Sequence, residues 1–222
     1  MDKLLIEKIQ ETEFDEVARV LTDAFLTNPA YSIIFKEPDK REAGLLWLFR
    51  SNLFILNRKQ TLTNVVKERS TGKIIGTFTV VPPEGVKKDT GVYLKIGIPG
   101  FIVKYGMNSL SRMLSLDNYN KQLLTDSMKT SVYYYLSMVV IRQEYRGTGI
   151  GTHAIRSAIE GLTASDPVCK VMGLTTQLPE NVVFYSRLGF RTLDDTHADF
   201  RGDSYFNCNM KLDFSNHVPG DV

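Results

Sequence analysis

The stretch Val139-Val140-Ile141-Arg142-Gln143-Glu144-Tyr145-Arg146-Gly147-Thr148-Gly149-Ile150-Gly151-Thr152 constrains this chain more than any other. It is entered from Tyr133 to Ile141, a dense run of strand-forming residues. Beyond it, Ile150, Ala154, Ile155, Ala158, Ile159 and Leu162 recur at helical spacing and mark one apolar face. A strand therefore leads through a turn with three alternate glycines into an amphipathic helix. Such a turn presents consecutive backbone N–H groups at a helix N-terminus, where the dipole is positive. Glycine lets an anion approach the backbone and permits positive φ. Arg146 can add a charge-assisted contact. The chemistry this predicts is pyrophosphate binding, with a purely structural turn as the plain alternative.

Two familiar phosphate motifs fail on register. A P-loop needs Lys followed by Ser or Thr after its last glycine, and Thr152-His153 stands there. A dinucleotide fingerprint needs G-x-G-x-x-G, but Gly151 comes one place early. Its ribose-binding acid should end a strand, whereas Asp166 precedes one.

Composition excludes other classes. The chain has 222 residues, 43% of them hydrophobic and 23% charged, which is ordinary globular usage. Lys plus Arg is 27 against 25 for Asp plus Glu, too balanced for a nucleic-acid surface. Two cysteines, Cys169 and Cys208, make no disulfide framework and read as reduced thiols of a cytoplasmic protein. Neither Tyr93 to Tyr105 nor Tyr133 to Ile141 reaches the roughly 18 apolar residues of a membrane span. No nucleic acid, membrane or metal partner is expected.

The remaining chain reads as one α/β domain over residues 1–214, with a frayed tail at 215–222. Leu4, Leu5, Ile6 and Ile9 suggest an opening strand. Thr12 and Asp15 suggest a loose capping box for a helix from Glu13 to Leu26, ended by Asn28-Pro29. A second helix is predicted over Lys40 to Asn57. A hairpin joins Asn64–Glu68 to Ile74–Val81 through Ser70-Thr71-Gly72-Lys73. Residues 86–129 carry a weaker signal. One or two helices are expected there, from about Phe101 to Leu116 and Leu116 to Lys129, as core packing or as a substrate-side wall. A strand over Cys169 to Thr175, a helix over Pro179 to Leu188 stopped by Gly189, and a closing pair, Arg191–Thr196 with Ser204–Leu212, complete the reading.

Arg146-x-x-Gly149-x-Gly151 resembles the acetyl-CoA pyrophosphate motif, R/Q-x-x-G-x-G/A, of the Gcn5-related N-acetyltransferase (GNAT) family. Downstream, Asn181-Val182-Val183-Phe184-Tyr185-Ser186-Arg187-Leu188-Gly189-Phe190 is similar, in compressed form, to that family's N-x-x-(A)-x-x-F-Y-x-x-x-G-F region. The early helices loosely resemble the puromycin N-acetyltransferase-like branch. The resemblance implies an α/β (α+β) fold with a central mixed, splayed sheet flanked by helices. It implies acetyl-CoA as cosubstrate. Val139, Val140 and Ile141 would offer backbone groups to the pantetheine arm. Arg146 and the N–H groups from Gly147 through Thr148, Gly149, Ile150, Gly151 and Thr152 would hold the pyrophosphate. Asn181 would hold the arm near its reacting end, or cap a helix. Val139 N–H would contact the oxyanion. Tyr185 would be the general acid, since a tyrosine with pKa near 10 is protonated at neutral pH; a structural Tyr is the alternative.

The general base is missing. Family members often place Glu or His on the strand before the turn, where Tyr133-Tyr134-Tyr135-Leu136-Ser137-Met138 stands here. Glu68 is a speculative substitute; Glu144 and His153 are less suited. The leading expectation is direct acetyl transfer to a small-molecule amine. Acetylation of a protein Lys or N-terminus, and a non-catalytic acyl-CoA-binding module, are the alternatives. The tyrosines hint only weakly at an aromatic acceptor, and a monomer or homodimer fits equally.

Overall fold

The computed structural model describes residues 3–86, 91–129, 132–166 and 168–215. The tail lies outside them from residue 216, as do residues 87–90 of the 86–129 segment. The apolar period of the early chain folds as α1 (Phe14–Phe25), burying Val17, Ala18 and Leu21 completely. Its entrance differs from the Thr12/Asp15 expectation. Gln10 N–H donates to Glu13 Oε2 at 2.8 Å, two residues earlier, across a short 3₁₀ turn. Asn28-Pro29 ends α1 and also starts a helix that the sequence reading lacked, α2 (Pro29–Ile34). Asn28 Oδ1 caps Ala30 N–H at 3.0 Å, and Pro29 sits in the first turn, where its missing N–H costs nothing. Helix α3 (Pro38–Asn57) packs beside α1, with Leu45, Phe49 and Leu53 sealed from solvent.

Seven strands form one sheet among the described residues: β1 (Leu4–Lys8), β2 (Thr63–Glu68), β3 (Ile74–Val81), β4 (Tyr134–Ile141), β5 (Val171–Thr176), β6 (Arg191–Phe200) and β7 (Asp203–Asp213). Their order is β1-β2-β3-β4-β5-β7-β6. All neighbours are antiparallel except β4 and β5. The β6–β7 turn uses Arg201 (φ 52°) and Gly202 (φ 83°), the two left-handed positions that a tight hairpin requires. Helices α1, α2 and α3 cover one face of the sheet. Helices α6 (Ile150–Ser165) and α7 (Pro179–Arg187) cover the other.

The 86–129 segment gives α4 (Val92–Lys95) and α5 (Ile98–Met128), and α5 joins the α1 face. The break expected near Leu116 is absent, and Leu116 is buried within α5. The helix kinks instead at Gly106, whose φ 80° and ψ 161° leave the helical region.

Strand β4 carries the feature that shapes the site. Thr77 pairs with Val140 and Thr79 with Ser137, so two steps on β3 face three on β4. The extra residue falls beside Met138, whose φ is 50°. The bulge shifts the side-chain phase by one. Tyr134 and Leu136 face α6 before it; Val139 and Ile141 face α6 after it; Met138 and Val140 face α1.

Gly76 on β3 is what lets β4 lie this close. A Cβ there would stand 2.7 Å from the Val140 carbonyl oxygen and 2.5 Å from Ile141 Cδ1. Gly76→Ala is expected to cost about 1–3 kcal/mol, lowering Tm by about 5 °C in thermal denaturation. Gly161→Ala, in open space on α6, should leave Tm unchanged or raise it.

Candidate active site

β4 and β5 meet at Tyr134↔Met172 and Tyr135↔Gly173 and nowhere beyond. From Leu136 and Leu174 onward they splay. Arg142 N–H reaches across to Ile75 O on β3 at 2.8 Å. Backbone direction alternates along a strand. Val140 therefore also turns toward β3, and its carbonyl faces Gly76. Val139 and Ile141 present their N–H groups to the splay. Of the three backbone candidates on β4, Val140 is thus the one aimed away. The side chains of Val139 and Ile141 pack in the core under α6.

The glycine turn stands at the end of this opening. Gly147 (φ 77°) and Gly149 (φ 82°) hold left-handed conformations that side chains resist. Gly151 is there for closeness, since a Cβ would stand 3.3 Å from the Phe184 ring of α7. Thr148 Oγ1 closes the turn by donating to Tyr145 O at 2.7 Å. The first hydrogen bond of α6 is His153 N–H to Gly149 O, at 3.0 Å. From Gly147 to Thr152, no backbone N–H has a backbone acceptor among the described residues. The chain thus displays an unbroken row of donors at the positive end of a 16-residue helix. Ile150 contributes its N–H while its side chain is buried. Arg146 is exposed, and its Nε donates to Ile141 O at 3.0 Å, tying turn to strand end.

Asn181 lies in the first turn of α7 and is not its cap, which is Leu178. Its Nδ2 donates to Thr176 Oγ1 at 3.2 Å, fixing it at the end of β5. Tyr185, 7% exposed, is wedged between Phe184 and Phe190 at ring-centroid distances of 5.0 and 5.6 Å. Burial pushes its phenol well above the ordinary value. It therefore stays protonated at neutral pH and can donate.

The base candidates fare differently. Glu68 accepts from Thr71 in its own hairpin at 2.6 Å, two strands from β4. Glu144 pairs with Lys73 at 3.3 Å, and its own backbone N–H and that lysine hold its carboxyl below the usual range. His153 sits in the first turn of α6.

The structure adds side chains that the sequence reading did not name. Thr125 of α5 lies 3.3 Å from Tyr133 Oη. Ser127 accepts from Asn209 Nδ2 at 3.2 Å, and Thr175 donates to Asn209 Oδ1 at 2.9 Å. Gln177 donates to Asn207 at 3.3 Å, and Tyr205 to Asn120 at 2.5 Å. Asn207 and Asn209 are 2% and 1% exposed. Their alternation with Cys208 and Met210 in β7 was the available signal: amides buried in a strand need partners. Tyr134 points away from this group and donates to Asp166 at 2.7 Å. Among the described residues no group of three or more His, Cys, Asp or Glu could hold a metal ion, and no helix is long and apolar enough to cross a membrane.

The chain belongs to the acetyltransferase (GNAT) family, whose pattern matches residues 26–190. Its class of activity is acyl transfer. The match is to the family as a whole and does not single out the puromycin N-acetyltransferase-like branch. No curated protein matches the chain by sequence. Among solved structures, it is similar to a Corynebacterium glutamicum protein described as histone acetyltransferase HPA2 and related acetyltransferase. That match has 20% identity, covers 94% of this chain and 95% of the other, and has a TM-score of 0.59. Arylalkylamine N-acetyltransferase 2 from Aedes aegypti matches with 14% identity, 95% and 98% coverage, and the same TM-score. The acetyltransferase yncA from Salmonella typhimurium, solved with acetyl-CoA, matches with 13% identity, 99% coverage of each chain and a TM-score of 0.52. At these identities the likeness is one of fold.

Gly149→Asp forces a side chain into a left-handed position and sets a carboxylate against any phosphate. Acetyl-CoA, which should raise Tm by a few degrees at about 100 times its dissociation constant, is expected to give that variant no shift.

Proposed function

We propose that this chain transfers the acetyl group of acetyl-CoA directly to a small-molecule amine. The observation that carries the reading is the row of backbone donors from Gly147 to Thr152 at the end of the opening between β4 and β5. Anionic phosphates fit the row, and Arg146 adds charge at its edge. Val139 and Ile141 can pair with the pantetheine amides as a neighbouring strand would. Asn181, held by Thr176, steadies the arm near its reacting end. The yncA structure with acetyl-CoA supports this cofactor on the same fold.

In the transfer, the amine nitrogen bonds to the acetyl carbon and the carbon–sulfur bond breaks. Val139 N–H stabilises the negative charge that develops on the carbonyl oxygen. Tyr185 gives its proton to the departing sulfur and regains one from solvent. The proton of the amine leaves through water, since no carboxylate or imidazole stands on β4 beside it.

A small acceptor is favoured over a protein because α5 covers the sheet where a peptide would lie. Thr125 reaches Tyr133 and Ser127 reaches Asn209, which closes that face. The Aedes aegypti arylalkylamine enzyme supports an amine acceptor of this size.

Thermal denaturation with acetyl-CoA, CoA, ATP and NAD tests the cofactor: the first two should stabilise, and ATP and NAD should not. Tyr185→Phe is expected to lower kcat by about 10²-fold or more, with the acetyl-CoA melting shift unchanged. Equal turnover in variant and wild type would remove Tyr185 from the reaction. Burial raises the Tyr185 phenol, so loss of its proton begins only above the ordinary tyrosine range. The kcat–pH profile should rise with amine deprotonation and show no falling limb from Tyr185 below about pH 10.

A further inference from the structure

Helix α5 runs along β7. Met128 lies by Gly173, Ser127 accepts from Asn209, Asn120 accepts from Tyr205, and Ser115 and Ser111 accept from Arg201. The helix therefore flanks the opening on the β7 side of β5. On β5, Met172 and Leu174 point to the face of α6 and α7. Side chains alternate along a strand, so Gly173 and Thr175 point to the α5 face. Gly173 is the last β5 residue paired with β4. An arm that enters from the glycine turn must stop there, because beyond it the strands are closed. Thr175 is the first β5 side chain on the α5 face at that stop, and it is partly exposed. Helices α6 and α7 fill the opposite face, so an acceptor reaches the end of the arm from the side of Thr175.

Thr175 ends a chain of hydrogen bonds whose direction is forced. The Leu123 carbonyl can only accept. Ser127 Oγ donates to it at 2.7 Å. That uses the one hydroxyl proton of Ser127, so its oxygen accepts from Asn209 Nδ2 at 3.2 Å. Asn209 Oδ1 is then the atom turned to Thr175, which donates to it at 2.9 Å. Thr175 and Asn209 are also register partners on β5 and β7, and Asn209 is 1% exposed. The hydroxyl proton of Thr175 is thus committed, and among the described residues no other group bonds to its Oγ1. What it has left for the opening is lone pairs alone.

Resting on the transferase reading above, we propose that Thr175 accepts a hydrogen bond from an N–H of the attacking amine, with Asn209 and Ser127 as positioning residues that keep its lone pairs turned that way. A neutral amine carries N–H groups and one lone pair. Holding an N–H at Thr175 turns that lone pair toward the acetyl carbon. The nitrogen gains positive charge as its bond to the carbon forms, so this hydrogen bond is stronger in the transition state than before it. Thr175 does not remove the proton. Its chain ends on the Leu123 carbonyl, which has nowhere to pass one, and the amine proton goes to water while the carbon–sulfur bond breaks.

The test follows thiol release from acetyl-CoA with methylamine, butylamine, phenethylamine and histamine, and assays the variants on the best of the four. Thr175→Val, similar in shape but without the hydroxyl, should lower kcat by about 10- to 100-fold and keep the acetyl-CoA melting shift. Thr175→Ser, which keeps the hydroxyl, should recover most of that loss. Ser127→Ala lets the Asn209 amide turn over, which reverses Thr175, so kcat should fall by about fivefold or more. On the Thr175→Val background Ser127→Ala should cost nothing further, whereas a merely structural Ser127 would cost the same in both. Wild-type kcat in Thr175→Val overturns the inference, as does an equal loss in Thr175→Ser or an additive loss in the double variant. If Thr175→Val does not fold, unchanged kcat in Ser127→Ala overturns it and a fall supports it. A wild type that releases thiol with none of the amines, or gains no Tm from acetyl-CoA, overturns the transferase reading itself.

Discussion

Everything in this structure that concerns chemistry depends on two parallel strands parting company. β4 and β5 hold each other through two residue pairs and then separate. Separation strands backbone donors and acceptors in the middle of a sheet, where unpaired polar groups are costly. The cost is tolerable because the exposed groups line an opening that an amide-bearing chain can enter as a missing strand would. The bulge beside Met138 helps to keep the strands apart. It raises local twist, and it switches which residues face the core, so that Val139 and Ile141 remain anchored under α6 while their backbone looks into the gap.

Much of this was legible in the sequence, for local reasons. The glycine turn and the α6 period are short-range signals, and each chain segment carries its own. The hairpins, α1, α3, α6 and α7 fall within a few residues of their expected limits. The splay was legible only through family resemblance, because it is a relation between strands far apart in sequence. The phase shift in β4 was not legible at all. Tyr134-Tyr135-Leu136-Ser137-Met138-Val139-Val140-Ile141 is apolar on both faces after Ser137, so alternation gives no register. The turn of Val140 toward β3, away from the gap, follows from that shift.

Helix α5 shows the opposite difficulty. Its amphipathic signal is diluted over 31 residues, with Leu116 misread as a boundary and the kink at Gly106 not foreseen. The side chains that matter are polar ones that reach the sheet: Asn120, Thr125 and Ser127. Polar residues on a helix usually face water, so nothing in the helix alone distinguishes them. Only their partners do: Tyr133, just before β4, and Tyr205 and Asn209 on β7. A buried strand carrying two amides must be answered from the layer above it, and the answering residues also fix the height of the roof.

The single hydrogen bond from Arg146 Nε to the Ile141 carbonyl joins the two halves of the opening. One guanidinium nitrogen serves the strand end, and the same exposed side chain immediately precedes the row of donors in the chain. Under the proposed function, a polyanion that draws Arg146 outward would free the Ile141 carbonyl to meet an amide of the inserted arm. Nucleotide end and acyl end would then be linked through one residue, so a ligand carrying both would bind more tightly than its separated pieces. Free energy released at the surface would reach the depth of the cleft through that one hydrogen bond, without any domain having to move.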